Sequence, residues 1–254
     1  MSLTVGSLFS GIGGIDLGLE RTGHTVAWQV ERDPFCRKVL AKHWPHVPCY
    51  EDIHDVGAHN LAPVDLIAGG FPCQDISYAG KGAGIHGARS GLWWEYARVI
   101  RELEPRYVLV ENVAALLVRG MGDVLGTLAS LGYDATWDCI PAGAFGAPYA
   151  RDRVFVLAFK SNSIDDCASR ECAGFWQAPI TSRDNRPILS AERGEGAYSR
   201  WRSRSTGTWW ETSDEPGLCR VANGVPNRLG QLRGYGNAVV PQVAEWIGRR
   251  LTER

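Results

Sequence analysis

The chain has 254 residues, with 27 Lys and Arg against 28 Asp and Glu for a net charge of −1, so no overall basic excess marks a nucleic-acid binder. Apolar residues are 44% and charged residues 22%, the balance of an ordinary folded protein. The longest apolar runs are far below a membrane span and the N-terminus lacks a basic region followed by a long apolar stretch, so the expected compartment is the cytoplasm.

The predicted elements alternate. Residues 4–9 read as a short apolar strand that runs into a Gly-rich turn at 10–14. A helix is predicted over 15–21, ending at Gly23, and a β-branched strand over 25–30 with Glu31 at its end. Residues 65–68 form another strand before Gly69-Gly70. Leu92, Tyr96, Val99, Ile100 and Leu103 recur at helical spacing, which predicts an amphipathic helix over 91–104. A buried strand over 107–110 ends at Glu111; 124–131 reads as helix and 154–159 as strand. Strands alternating with helices through short loops predict an α/β fold with a parallel sheet covered on both faces. In such sheets ligands bind beyond the carboxyl ends of the strands, where Gly11, Glu31, Gly69 to Cys73 and Glu111 all fall.

Near Lys160 the character changes. Residues 1–159 hold 13 basic and 17 acidic side chains, whereas 160–230 hold 10 basic and 9 acidic, nine of the ten being Arg. Apolar periodicity gives way to Ser, Thr, Arg, Gly and Trp, which predicts a small irregular region over 160–230. Arg suits phosphate and guanine contacts, although on charge alone a solvated surface is the more ordinary explanation. In the tail, Val240, Val243, Ala244, Ile247 and Leu251 share one helical face, and Pro241 suits a first turn. That stripe needs a partner, so the tail is expected to pack back, giving one domain of 1–159 plus 231–254. The seven cysteines form no paired CxxC sets, which predicts core thiols with room for one reactive thiol and no metal site.

Four motifs carry chemistry. Phe9-Ser10-Gly11-Ile12-Gly13-Gly14 joins a strand to a helix, and Glu31 follows about 20 residues later, where an acid can bind ribose hydroxyls. The spacing suits any adenosine cofactor, nicotinamide dinucleotides included, or a purely structural turn. Cys73, after Gly69-Gly70-Phe71-Pro72, is either an inert core thiol or a nucleophile at the mouth of the sheet. Glu111 is a carboxyl at a buried strand end, costly unless it caps a helix or has a task. Arg151 and Arg153 are either surface residues or hold the polar edge of a base.

In order, FSGIGG, PCQ, ENV, RDR and GNAVVPQ resemble the DNA cytosine-5 methyltransferase family, over residues 3–159 and 233–251 and most closely its compact phage, prophage or restriction-modification members. The resemblance implies a Rossmann-like S-adenosylmethionine-dependent methyltransferase sheet with a small irregular target-recognition region. It implies S-adenosylmethionine as cofactor, S-adenosylhomocysteine as product, and methyl transfer to C5 of a cytosine flipped out of duplex DNA. Phe9 would lie against the adenine and Glu31 on the ribose, with Ser10, Gly11, Gly13, Gly14, Pro72 and Val239 about the cofactor. Asp52-Ile53 matches the adenine-contacting step and Asn237 the last cofactor-side motif. Cys73 matches the nucleophile that attacks C6, Glu111 the acid that engages N3, and Arg153, with Arg151, the arginine near O2. Gln74, Ser77, Lys81, Arg183, Arg186, Arg200 and Arg202 are the expected DNA contacts. The expected partners are double-stranded DNA and a restriction endonuclease of the same specificity, with the enzyme a monomer close to the nucleoid.

Two departures stand out. The family usually carries Gln two residues before Arg151, where this chain has Tyr149. The variable region is also short. The alternatives are an RNA cytosine methyltransferase, since a tRNA-modifying branch shares PCQ and ENV, a catalytically inactive DNA-binding relative, and a nicotinamide-dependent oxidoreductase. The intact Cys73, Gln74, Glu111 and Arg153 disfavour inactivity, and the missing third glycine disfavours the oxidoreductase.

Overall fold

A strand that leads into a glycine turn and a helix can only bury its apolar face by pairing with the next strand and covering the pair with that helix. The computed structural model, which describes residues 1–72, 91–145, 147, 151–160, 175–176, 180–181, 187–188 and 238–252, does this repeatedly. In chain order the elements are β1 (Thr4–Leu8), α1 (Gly14–Glu20), β2 (Thr25–Val30), α2 (Pro34–His43), β3 (Cys49–Tyr50), a 3₁₀ turn (Ile53–Asp55), β4 (Leu66–Gly69), α3 (Leu92–Leu103) and β5 (Tyr107–Val113). There follow α4 (Leu116–Arg119), α5 (Met121–Ser130), β6 (Tyr133–Pro141), a 3₁₀ turn (Ala142–Phe145), β7 (Asp152–Lys160), a two-stranded ribbon of β8 (Ile180–Thr181) and β9 (Pro187–Ile188), and α6 (Pro241–Thr252).

Seven strands form one sheet in the order β3-β2-β1-β4-β5-β7-β6. The pairs from β3 to β5 are parallel. The expectation of a wholly parallel sheet is corrected at its far edge, because β7 runs antiparallel to both β5 and β6. An apolar run such as Val154 to Phe159 has the same side-chain pattern in either direction, so its orientation is set by the route from β6, which needs no helical crossover. Strand β6 and helix α2 were not predicted. Along β6 only Tyr133 and Ile140 are buried, as suits an edge strand, so no apolar run announces it. Helix α2 does carry a start signal: Asp33 accepts from the backbone N–H groups of Phe35 and Cys36, with Pro34 in the first turn.

One core lies on each face. Trp93, Tyr96, Val99 and Ile100 of α3 and Val124 and Leu128 of α5 pack on one side. Ile15 and Leu19 of α1 and Val243, Ala244, Ile247 and Leu251 of α6 pack on the other, as the tail's stripe required. Phe175 is fully buried on this second face, and the Trp176 indole donates to Thr136 Oγ1 (3.1 Å), so these two residues of the 160–230 stretch lie against the sheet.

Asp16 of α1 is fully buried and takes donors from both neighbouring strands, Ser7 Oγ (2.6 Å) and Gln29 Nε2 (2.7 Å). Burial outweighs these bonds and pushes its carboxyl from the ordinary 3.8 up to about 6. The native state therefore binds this proton more readily than the unfolded chain, and Asp16 adds stability as pH falls from about 6 towards 3.8. A shift of this size corresponds to about 3 kcal/mol across that window. Gln29 Oε1 has no partner among the described residues. Asp16→Asn can donate to it once the glutamine amide turns over. We expect Asp16→Asn to be more stable than wild type at pH 7.5 and to lose most of the gain below pH 6, as read by urea unfolding across pH.

Candidate active site at the carboxyl edge of the sheet

The chain leaves β1 for β2 on one side and returns through β4 to the other, so β1 and β4 form the switch point of the sheet. A cavity of about 370 Å³ opens there, within the size range of cofactor sites. Its walls bring together Phe9, Ser10, Gly11, Gly14, Glu31, Asp52, Ile53, Pro72, Glu111, Arg153 and Val239, all picked out from sequence. Gly13 caps α1 behind this wall, and Arg151 lines a small adjoining recess beside Val239. Cys73, Gln74, Ser77, Lys81, Tyr149, Arg183, Arg186, Arg200, Arg202 and Asn237 lie outside the described residues. Asp33 and Cys36 also line the cavity and were not anticipated; Asn112, noted only within its motif, and Leu92, noted only for its helical spacing, join them.

The turn after β1 is bent through left-handed backbone at Phe9 (φ 54°), Gly11 (57°) and Gly13 (83°). For a phenylalanine this conformation is strained, and such strain tends to persist where a site requires it. The Phe9 ring lies 6.2 Å from that of Tyr96. Glu31 fastens the turn. Its carboxylate accepts from Gly11 N–H (2.7 Å) with one oxygen and from Asp33 N–H (2.7 Å) with the other. Burial nevertheless holds its pKa above the usual carboxylate range. Asp52 is held low, first by the His54 backbone N–H and then by the His54 side chain. The same Asp52 oxygen receives both (3.1 and 2.5 Å), leaving its second oxygen for a ligand.

The other half centres on Glu111, which is 8% exposed. Val113 of β5 pairs with Arg153 of β7, and Glu111 pairs with Phe155, so Glu111 and Arg153 are diagonal neighbours on one face. Arg153 Nε meets Glu111 Oε1 at 2.8 Å. Desolvation raises the Glu111 pKa, and the two cations Arg153 and Arg151 oppose that rise. Two glycines make room. A Cβ on Gly69 would meet the Leu8 carbonyl oxygen at 2.1 Å, and one on Gly70 would meet Glu111 Oε2 at 2.2 Å. Asn112 Nδ2 donates to the Phe71 carbonyl (3.0 Å) and Oδ1 accepts from Val113 N–H (2.9 Å), tying the Phe71-Pro72 segment to β5 one residue before Cys73. From the far side, Val239 reaches the cavity because Gly14 has no side chain; a Cβ there would meet the Val239 carbonyl oxygen at 2.3 Å.

The strand order, and the glycine turn with its acid on the next strand, give the mixed sheet of the Rossmann-like fold shared by S-adenosylmethionine-dependent methyltransferases, with the buried Glu–Arg pair beside the same cavity. The sequence model of the C-5 cytosine-specific DNA methylase family matches residues 3–189, and the chain belongs to that family. It is 42% identical over 164 residues to the Type II methyltransferase M2.BsuMI of Bacillus subtilis, covering 61% of this chain and 42% of that protein. It is 35% identical over 190 residues to the Type II methyltransferase M.Eco47II of Escherichia coli, covering 71% and 45%. The chain thus spans about half the length of the curated relatives it matches. The fold is similar to that of a crystal structure of a candidate DNA modification methyltransferase encoded within an E. coli prophage, with a TM-score of 0.66 at 20% identity and 99% of each chain covered.

Asn112 is 2% exposed, and truncating it strands the Phe71 carbonyl. Asn112→Ala should cost about 1–3 kcal/mol of stability, the usual consequence of orphaning a buried polar group. Denaturant unfolding measures this, and limited proteolysis should cut nearer residue 72 than in wild type.

Proposed function

We propose that the protein transfers a methyl group from S-adenosylmethionine to C5 of cytosine in duplex DNA, with Cys73 as nucleophile. The observation that carries this reading is the buried Glu111–Arg153 pair, packed against Gly70 and sharing one cavity with the Phe9 turn and Glu31.

The residues present fit the cofactor. Gly11 has no heavy atom within 4 Å of where its Cβ would lie, so a ligand can approach the backbone. Glu31 and Asp52 offer carboxylate acceptors for ribose hydroxyls and for an adenine amine, and Phe9 offers an aromatic face. When bound, S-adenosylmethionine supplies a methyl group on a positively charged sulfur, an electrophile that cytosine C5 cannot attack unaided.

The chain's own groups would raise the reactivity of C5. Attack of the Cys73 thiolate on C6 places electron density at C5 provided N3 is protonated. Glu111 is suited to hold that proton, since burial keeps it protonated to higher pH than an exposed carboxylate. Arg153 limits that rise; with Nε on Glu111 and Nη1 on the Asp152 carbonyl, its Nη2 is the donor it would offer a base oxygen. Loss of the C5 proton and then of the thiol frees the product. The target base must leave the helix to reach a pocket at the carboxyl edge of the sheet. The 160–230 region is proposed to choose the sequence, the rest of the chain to perform the chemistry. A restriction endonuclease of the same specificity is the proposed partner and the cytoplasm the proposed site of action. Among the described residues no helix is long and apolar enough to cross a membrane.

DNA with 5-fluorocytosine in place of cytosine tests the mechanism, because fluorine cannot leave as a cation and the last elimination stalls. With S-adenosylmethionine present we expect a denaturation-resistant protein–DNA adduct, absent for Cys73→Ala. No adduct with the wild-type chain would sink the covalent reading.

Alanine substitution of Arg183, Arg186, Arg200 and Arg202 tests the recognition region. Residues that read bases should relax the methylated motif at one base pair, with a loss of about 1–3 kcal/mol of discrimination. Those that touch phosphates should weaken all sequences alike and flatten the salt dependence. If sequencing of methylated DNA shows an unchanged motif and the salt slope is also unchanged throughout, specificity lies elsewhere.

A further inference from the structure

Asp52 and Ile53 face the cavity, yet the groups that hold their segment lie behind it on α3. Arg98 Nη2 donates to the carbonyls of Ile53 (2.8 Å) and Val56 (2.9 Å), the start and the cap of the 3₁₀ turn. Its remaining donors are committed to two carboxylates of the same helix, Nε to Glu95 (2.7 Å) and Nη1 to Glu102 (2.9 Å). The other Glu102 oxygen accepts from Ala58 N–H (3.1 Å). Gly57 fits beneath this clamp only because it lacks a side chain, since its Cβ would meet Glu102 Oε2 at 2.2 Å.

An exposed ion pair on a helix contributes little by itself. This one differs in where its donors end. The Arg98 side chain is 23% exposed, and two of its hydrogen bonds terminate on the backbone of the segment whose other side carries Asp52. Two carboxylates keep the guanidinium in one plane, so the Ile53 and Val56 carbonyls have one position available to them. The Asp52 carboxylate is one residue from the clamped Ile53 carbonyl and has one oxygen left for a ligand donor.

We propose that Arg98 is a positioning residue for the adenine end of the cofactor, holding Asp52 where it discriminates an exocyclic amine from a carbonyl. The inference rests on reading the cavity as an S-adenosyl site. Residues that touch the ligand are unchanged in its test, which uses the full chain and calorimetry with S-adenosylhomocysteine and with its inosine counterpart, in which a carbonyl replaces the amine.

Wild type should favour the adenine compound. Arg98→Met keeps the apolar stem and removes the clamp. It should weaken S-adenosylhomocysteine about 10- to 100-fold, the loss expected for charge-assisted bonds, and the inosine compound about threefold or less, so that selectivity collapses. Arg98→Lys should recover part of the selectivity, since an ammonium can hold one carbonyl but not span the set. Equal weakening of both ligands would mean a general loss of packing and would overturn the proposal, as would unchanged affinities. If Arg98→Met does not fold, Glu102→Gln replaces it, with a smaller loss in the same direction expected and no change overturning the role. A wild-type chain that binds neither compound overturns the cofactor reading itself, whereas wild-type binding with an unaltered variant overturns only the role of Arg98.

Discussion

Glu111 sits at the end of a central strand with almost no access to water, and much of the carboxyl edge of the sheet can be derived from keeping it there. A carboxyl in that position must be neutral or compensated. Arg153 compensates it across β5 and β7, which is possible because β7 runs antiparallel and places Arg153 diagonally opposite. The carboxyl's second oxygen occupies the space a side chain on Gly70 would fill. The glycine therefore answers to the acid, and the chain after Gly70 must pass over it. Asn112, next to Glu111, then fixes that passage by holding the Phe71 carbonyl.

The side of the cavity formed by α1 depends on close approach of a different kind. Helix α1 meets the tail through Gly14 and Gly18, whose absent side chains would otherwise strike the carbonyl oxygens of Val239 and Pro241 at 2.3 Å. On the tail, Gly248 accommodates Thr22, and its carbonyl lies 3.1 Å from His24 Nε2. The other His24 nitrogen accepts from Leu3 N–H, so the ring is held neutral, with Nε2 as its donor, and burial lowers its pKa accordingly. A segment more than 200 residues from α1 in sequence is thereby brought to the same cavity.

How much of this could be read from the sequence depended on whether the signal was local. Strand β2 was predicted with its observed limits because β-branched and aromatic residues dominate it between Gly23 and Glu31, and α6 because apolar residues share a face after Pro241. Helix α2 was missed although Asp33 and Pro34 mark its start, because only Cys36 and Leu40 are buried and the apolar stripe is weak. The residues picked out as motifs were legible by position, and the cavity gathers all the cofactor-side and catalytic candidates that lie in described segments except Gly13 and Arg151, which stand just behind its wall. Asn112 was read only as part of a motif and Arg98 not at all. Their partners lie 41 and 45 residues away, and no spacing rule connects an arginine on one helix to a carbonyl in a preceding loop.

The two halves of the site are also joined by ring packing. Phe9, in the cofactor turn, is 6.2 Å from Tyr96; Tyr96 is 5.6 Å from Trp93; and Trp93 is 5.4 Å from Phe71, two residues before Cys73. Tyr96 and Trp93 are fully buried, and the Tyr96 hydroxyl is anchored on the Leu109 carbonyl (3.1 Å) in β5. Rings packed at interior density cannot shift singly, so the distance between the Phe9 turn and the Phe71 segment is set by α3 rather than by either loop. The same helix carries Leu92 into the cavity and Arg98 against the Ile53 carbonyl. Methyl transfer in line between two ligands tolerates little error in their separation. For the proposed methyl transfer, a single helix that touches both ends of the cavity and is anchored to a central strand meets that requirement.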